Sequence, residues 1–262
     1  FTVEVERSLR VFDGLVARPV NCWPSARFDL GAVNGLVGRF LPAGFYYKTF
    51  MWPHWHLYEA AIRRAAGLGK ASDQADPAEY DERYAHCDVL VVGGGGAGLA
   101  AARAAAAAGA RVILCEQDRQ LGGRLLWDQA EIDRQPGAAW AERAARELAG
   151  HPEVRVLTRT TVAGYFDHNA LAALEVPAEG AGARMRLWQI RARRVILATG
   201  ALERPLVFPG NDRPGVMLAT AVQQYLHRYG VLPGRKVAVF TNNDDAYALA
   251  GSLAAAGALA AV

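Results

Sequence analysis

One short segment limits what this chain can become more than any other. It is a cluster of glycines between a strand-like and a helix-like stretch. Cys87–Val92 is a continuous apolar run, the pattern of a strand buried on both faces. Gly93-Gly94-Gly95-Gly96-Ala97-Gly98 follows and satisfies G-x-G-x-x-G, and an alanine-rich stretch then reads as a helix ending at Gly109. Arg111–Glu116 reads as a second strand. In that setting each glycine has a physical task. Gly93 permits the tight turn out of the strand, Gly95 lets the backbone approach a pyrophosphate, and Gly98 lets the helix lie close to the sheet. The helix start at Gly96 and Ala97 offers unbonded N–H groups and a positive dipole end to phosphate oxygens. Glu116 ends the second strand, with Gln117 beside it, and its carboxylate can accept two hydrogen bonds from ribose hydroxyls. Its charge would repel a 2′-phosphate, which disfavours NADP. A lone glycine motif is a weak signal. Placed between these elements it predicts a site for an adenine dinucleotide, NAD or FAD. The competing reading is a structural turn that holds no ligand.

Two further segments point to the same crevice. In Leu121-Gly122-Gly123-Arg124, Gly123 would bring a second stretch of backbone near the dinucleotide, and Arg124 either meets a phosphate or is a solvated surface arginine. Ala198-Thr199-Gly200 ends a later strand, where small residues make room for a ligand; a plain turn is the alternative.

The remaining pattern is orderly. Pro136 opens a helix that closes near Gly150, and Val154–Thr158 reads as a strand. Thr161–Phe166, Leu171–Glu175 and Met185–Arg191 predict a small antiparallel meander, and Val195–Ala198 a further buried strand. A helix over Ala219–Tyr229 leads to a strand at Lys236–Phe240 and a helix from Ala246. This order predicts an α/β fold. Residues 86–232 read as a Rossmann-like dinucleotide-binding domain with a β-meander, and residues 233–262 as the start of a second, degenerate and truncated Rossmann domain. Residues 1–85 lack clear alternation and predict an irregular N-terminal extension and connector. Turns are expected at Phe12-Asp13-Gly14 and Ala43-Gly44, a helix over His56–Ala66 closed by Gly67, and another helix start at Asp76-Pro77.

Composition excludes several classes. Hydrophobic residues make up 52% and charged residues 21% of 262, a globular balance with ample length for a core. A net charge of +3 gives no reason to expect a nucleic-acid partner. Leu99–Ala108 is apolar but short and interrupted by Arg103, so no membrane span is expected, and no signal peptide is evident. Cys22, Cys87 and Cys115 are far apart, without metal or redox spacing, which fits a reducing cytoplasm. The chain starts at Phe1 and stops at Val262, just beyond a helix of the second βαβ unit. It reads as a piece of a longer protein.

Taken together, the fingerprint, the acidic strand end, Gly122-Gly123-Arg124 and Ala198-Thr199-Gly200 resemble the glutathione-reductase-like dinucleotide domain. That resemblance implies the two-domain flavoprotein fold, with the backbone of Val162 reading the adenine. Disulfide reductases of that type carry a cysteine pair soon after the first βαβ unit. Leu125–Pro136 contains no cysteine, which argues against thiol–disulfide chemistry. Further segments are more specific. Phe12–Val16, Asn21–Ser25, Phe28–Asn34, Ala43–Pro53, Tyr58–Gly69 and Val237–Tyr247 resemble the α subunits of heterotetrameric sarcosine oxidases.

This second resemblance covers essentially the whole chain. It implies NAD held in the first Rossmann domain without a known redox role, FAD being the alternative that the motifs leave open. It further implies β, γ and δ partner subunits, with FAD and FMN in the assembled complex. The implied reaction turns sarcosine into glycine, formaldehyde and hydrogen peroxide at machinery outside this chain. Rival readings are the α subunit of a related amine, opine or proline dehydrogenase or of a cyanide synthase, a non-catalytic NAD-binding scaffold, and an independent FAD-dependent oxidoreductase.

After Lys236–Phe240 a working NAD(P)H turn would need glycines. Thr241-Asn242-Asn243-Asp244-Asp245 stand there instead; they crowd the turn, and two carboxylates oppose a phosphate. Other features carry less. His54 and His56 read as a metal pair or as surface histidines, with no third ligand nearby. The aromatic block Phe45, Tyr46, Tyr47, Phe50, Trp52, Trp55 and Tyr58 reads as a flavin platform, core or subunit interface, the last being favoured. Arg191, Arg193 and Arg194 read as a solvated strand end, and Glu203-Arg204 as residues near the distal half of the dinucleotide. No Ser/His/Asp set, acid–base carboxylate pair or metal cluster emerges, so no catalytic residue and no metal site are assigned.

Overall fold

The computed structural model describes residues 14, 22–25, 27–38, 40, 44–45, 49–67, 75–76, 78–178 and 182–261. The chain divides into two compact units, Phe1–Asp76 and Pro77–Val262. The described part of the first unit has an antiparallel ribbon of β1 (Pro24–Ser25) and β2 (Phe28–Asp29), a short helix α1 (Val33–Gly38) and a longer helix α2 (His56–Ala65). Asp29 organises the ribbon: its Oδ1 accepts from the N–H groups of Trp23 and Gly31, each at 2.9 Å. Gly67 takes a left-handed φ of 71° just past α2, as a helix-closing glycine does. Gly14 and Gly44 are also left-handed, whereas Phe12, Asp13 and Ala43 lie outside the described residues. The helix expected at Asp76-Pro77 does not form in the described residues around it, and a strand begins at Tyr80 instead; Pro77 itself lies outside them.

The second unit is built on one six-stranded sheet. Its strands are β3 (Tyr80–Val92), β4 (Val112–Cys115), β7 (Val154–Leu157), β8 (Thr160–Phe166), β9 (Ala170–Glu175) and β10 (Met185–Leu197). They lie in the order β7-β4-β3-β10-β9-β8, with β7, β4, β3 and β10 parallel and β10, β9 and β8 antiparallel. A small ribbon, β5 (Glu131–Ile132) with β6 (Gln135–Pro136), precedes helix α4. Helices α3 (Gly96–Ala107) and α4 (Gly137–Ala149) pack on one face through Leu99, Ala102, Trp140, Ala141 and Ala144. Alanines there let the helices and sheet approach closely. The other face buries Cys87, Leu90, Ile113, Leu171, Trp188 and Ile190.

Two strands are longer than their apolar runs. β3 starts at Tyr80 rather than Cys87, and β10 runs unbroken where a meander strand and a separate closing strand are expected. The reason is cross-strand pairing of polar side chains. Arg186 on β10 lies 2.7 Å from Asp81 on β3 and 3.1 Å from Glu175 on β9. Glu175 also accepts from the Trp188 indole N–H at 2.6 Å, and the Gln189 amide meets Glu82. Residues that look like a solvated connector are therefore partners of one another. The far end of β10 is open: Ile196 and Leu197 are exposed, although Val195–Ala198 reads as buried.

β3 also changes face partway. The N–H groups of Asp88 and Val89 both donate to Arg111 O, and Ala85 and Cys87 lie in the same apolar cluster as Leu90 and Val92. While the register of the two strands stays unbroken, the burial alternation shifts by one residue at that point on β10 as well, from Ala192 to Val195. A two-point ion pair between Asp88 and Arg111 pins it, and hydrogen bonds from the Arg111 side chain hold the Asp88 carboxyl down to about 2.

Helix α5 (Ala219–Tyr229) ends at Gly230, with φ 65°. β11 (Lys236–Ala238), helix α6 (Asp245–Ala255) and β12 (Leu259–Ala261) then form a second βαβ unit, its two strands parallel. β11 stops short of the expected Phe240. Val222, Leu249, Leu253 and Ala258 form its apolar centre. Among the described residues no helix is long and apolar enough to cross a membrane.

The junction of turn and α3 is the tightest point. A Cβ at Gly98 would lie 1.8 Å from Gly93 O, and one at Gly93, where φ is 100°, would lie 2.3 Å from Ala198 O. Gly98→Ala is therefore expected to cost the Pro77–Val262 unit about 1–3 kcal/mol. A fall in the urea midpoint measures this, and an unchanged midpoint would show that α3 does not press on the turn.

Candidate dinucleotide-binding site

The C-terminal ends of β4, β3 and β10 converge through backbone bonds. Gly93 N–H donates to Cys115 O, and Ala198 N–H donates to Val92 O, each at 2.8 Å. The first helical bond of α3 runs from Leu99 N–H to Gly95 O, so the N–H groups of Gly96, Ala97 and Gly98 precede the helical ladder. A Cβ built on Gly95 meets nothing within 4 Å. The helix start thus faces open space, and only the missing side chain keeps the backbone accessible to a diphosphate.

Glu116 is 8% exposed. Its Oε2 accepts from Gly94 N–H at 2.6 Å and its Oε1 from Asp118 N–H at 2.8 Å. Each oxygen keeps a further lone pair, so the carboxylate can hold the glycine turn and still accept ribose hydroxyls. The second glycine segment lies directly on the first. Gly122 N–H donates to Gly94 O at 2.8 Å, and a Cβ on Gly123, where φ is 52°, would lie 3.0 Å from Gly95 Cα. β8 starts beside Glu116, whose carbonyl accepts from Thr160 N–H at 2.8 Å; Val162 follows on β8, half-buried, just before a bulge. Gln117, Ala97, Thr199 and Gly200 are exposed. The residues fit an adenine dinucleotide: donors for the diphosphate, an acid for the ribose and backbone bare of side chains between them.

Arg124 lies in this neighbourhood but is engaged, 2.9 Å from Asp128 and 5.5 Å over the Trp127 ring. Glu203 is placed differently from its expected role near the distal half of the dinucleotide. It caps α5, accepting from Thr220 Oγ1 at 2.6 Å, Thr220 N–H at 2.8 Å and Ala219 N–H at 3.2 Å. Burial pushes its carboxyl up, but the Thr220 hydroxyl, these N–H groups and nearby Arg124 bring it below the ordinary value. Two contacts carry no sequence signal. Arg228 on α5 lies 2.7 Å from Asp118, and His227 lies 3.4 Å from Gln129. A cavity of about 320 Å³ opens along the segment after Gly122 and Gly123, lined by Leu125, Trp127, Gln129, Gly137 and His227.

The other features are mostly structural. The His56 imidazole meets Glu59 at 3.2 Å, and no group of three or more His, Cys, Asp or Glu residues is placed to hold a metal among the described residues. The aromatic block divides. Phe50 packs on Phe45 and Tyr58, while Met51 and Trp52 are exposed; Tyr46 and Tyr47 lie outside the described residues. Arg191, Arg193 and Arg194 are exposed along β10. In the turn before α6, Thr241 Oγ1 donates to Asn243 O and accepts from Asn243 N–H, so side chains fill that turn.

A family model described as pyridine nucleotide-disulphide oxidoreductase matches residues 87–240. The chain belongs to this family of oxidoreductases. It is 55% identical to the alpha subunit of sarcosine oxidase from Rhizobium meliloti (strain 1021), over 94% of this chain and 26% of that protein. It is 32% identical to one of the opine oxidase subunits of Agrobacterium tumefaciens (strain Ach5), over 65% of this chain and 35% of that one. Among solved structures it resembles L-proline dehydrogenase from P. horikoshii, with a TM-score of 0.57 and 27% identity over 70% of this chain and 36% of that one. The chain therefore spans about a quarter to a third of these relatives. The resemblance to sarcosine oxidase α subunits and the α/β Rossmann-like fold are both borne out.

The family's description includes disulfide chemistry, yet the thiols of the second unit are inaccessible. Cys87 and Cys115 are buried in the sheet, where desolvation pushes them up to about 11 and about 12. At about pH 8, Ellman's reagent is expected to leave both unmodified in the folded protein and to reach both after denaturation. Rapid labelling of either without unfolding would show that the sheet opens.

Proposed function

We propose that this chain is the dinucleotide-holding part of a sarcosine oxidase-type α subunit, with NAD at the glycine turn. The observation that carries the reading is the buried Glu116 carboxylate, held between Gly94 and Asp118 N–H groups beside the open approach at Gly95. In this reading the N–H groups of Gly96, Ala97 and Gly98 hold the diphosphate and Glu116 takes the ribose, with Gln117 at its edge. Gly93 shapes the turn. Gly123, Ala198, Thr199 and Gly200 form walls, the Val162 backbone reads the adenine, and Arg124 reaches a phosphate when it leaves Asp128.

The bound NAD supplies a fixed adenine–diphosphate anchor, and no residue of this chain is assigned a catalytic role. The amine chemistry belongs to flavins, FAD and FMN, held with β, γ and δ subunits in the cytoplasm. There sarcosine, water and oxygen give glycine, formaldehyde and hydrogen peroxide. The side-chain-filled turn before α6 supports this division, since Thr241 Oγ1 takes up the Asn243 N–H that a second nucleotide's phosphates would need, and the sequence adds two acidic residues at Asp244-Asp245. Residues 233–262 then act as the start of a degenerate second Rossmann domain.

A second reading is favoured by the likeness to opine oxidase and to L-proline dehydrogenase. It assigns opine or proline to the complex, and FAD to the glycine turn. Both points can be tested on the assembled oxidase with its full-length α chain. Denaturation is expected to release NAD stoichiometric with this chain; FAD alone at that stoichiometry would sink the NAD assignment. Sarcosine is expected to yield peroxide, and turnover of proline or an opine without it would favour the second reading. Glu116→Ala is expected to weaken dinucleotide binding by roughly 1–3 kcal/mol through lost charge-assisted hydrogen bonds. Gly95→Ala is expected to weaken it without lowering the urea midpoint, because its Cβ meets only open space. Unchanged affinity in both variants would place the ligand elsewhere.

A further inference from the structure

We propose that Asp118 and Arg228 are positioning residues for the Glu116 carboxylate, so that helix α5 sets how strongly the site recognises the adenosine 2′-hydroxyl. The inference rests on the reading of Glu116 as the ribose acid. A carboxylate accepts two ribose hydroxyls well only when both its oxygens are aimed. Two N–H donors set that aim here. Gly94 N–H is fixed by the glycine turn, which the sheet holds at Gly93. Asp118 N–H belongs to the loop after β4 and needs an anchor of its own.

That anchor is electrostatic. Arg228 is largely buried, its side chain 13% exposed, and its guanidinium lies 2.7 Å from Asp118 Oδ2. The other Asp118 oxygen accepts from Arg119 N–H at 2.7 Å, and Asp118 O accepts from Arg159 N–H at 2.9 Å. Every polar group of Asp118 is therefore committed, and among the described residues the ion pair is what ties it to α5. The helix is itself restrained at both ends, by Glu203 on its first turn and by His227 against Gln129 on its last. A chain of contacts thus runs from α5 through Arg228 and Asp118 to Glu116. Removing the guanidinium leaves the loop tied through its backbone to Arg159 but no longer to α5. Removing the Asp118 charge leaves a largely buried cation without its counter-charge.

The test uses the assembled oxidase with its full-length α chain, stripped of nucleotide. ADP and 2′-deoxy-ADP are titrated by calorimetry, because ADP is the part that NAD and FAD share. The unaltered protein is expected to prefer ADP roughly tenfold. Arg228→Ala and Asp118→Asn are expected to cut that preference to about twofold or less, whereas Arg228→Lys retains most of it. The exchanged pair Asp118→Arg with Arg228→Asp is expected to restore part of it. A general loss of stability would weaken both nucleotides alike. A ratio that stays at the unaltered value in Arg228→Ala and Asp118→Asn would therefore overturn the proposal and leave the Glu116 reading standing. No preference in the unaltered protein would overturn both.

Discussion

Glu116 Oε2 lies 2.6 Å from Gly94 N, and much of the nucleotide crevice is arranged around that contact. Charge-assisted bonds from two backbone N–H groups tie the end of β4 to the turn leaving β3 and to the loop that follows. Gly94 O in turn accepts from Gly122 N–H, which brings the second glycine segment onto the first. Three backbone stretches meet with almost no side chain between them. Such an arrangement has little apolar area of its own, so it depends on a polar tie and on the sheet behind it.

The sheet supplies that support through one unusually long pair. β3 and β10 run side by side from Tyr80 to Val92 and from Met185 to Leu197, so the antiparallel strands and the parallel core form one continuous surface. Arg186 sits at the crossing, between Asp81 and Glu175. A largely buried cation between two acids costs desolvation but sets register, because a one-residue slip of β10 would send Arg186 to the other face, away from both acids. The change of face at Asp88 then lets the same strand enter the nucleotide site with Leu90 and Val92 on the apolar side.

The two βαβ units divide in chemistry although they share a plan. The first meets its turn with backbone alone. The second fills its turn with Thr241 and Asn243 bonded to each other. A phosphate needs the donors that these side chains take up and would face the charge of Asp244, the residue before α6. Sequence similarity to sarcosine oxidase α subunits extends across both units. The contrast between the turns is thus consistent with one holding a dinucleotide and the other serving as scaffold.

Local chemistry decided much of this in advance. Gly93 to Gly98 between an apolar strand and an alanine helix, Pro136 before α4 and Gly230 after α5 each act over a few residues, so the elements and the crevice were legible from the chain alone. The aromatic segments and Val237–Tyr247 likewise carried the family resemblance before any contact was known. Tertiary structure decided the rest, because it depends on partners distant in the chain. Residues 80–85 look like part of a polar connector until Arg186 and Gln189 arrive beside Asp81 and Glu82. Glu203 looks like a ligand contact until Thr220 N–H reaches it. Arg228 and Asp118 have no shared local pattern at all. A side chain's alternation and turn preferences are written in its neighbours, whereas the charge it faces is set only when the sheet brings distant segments together.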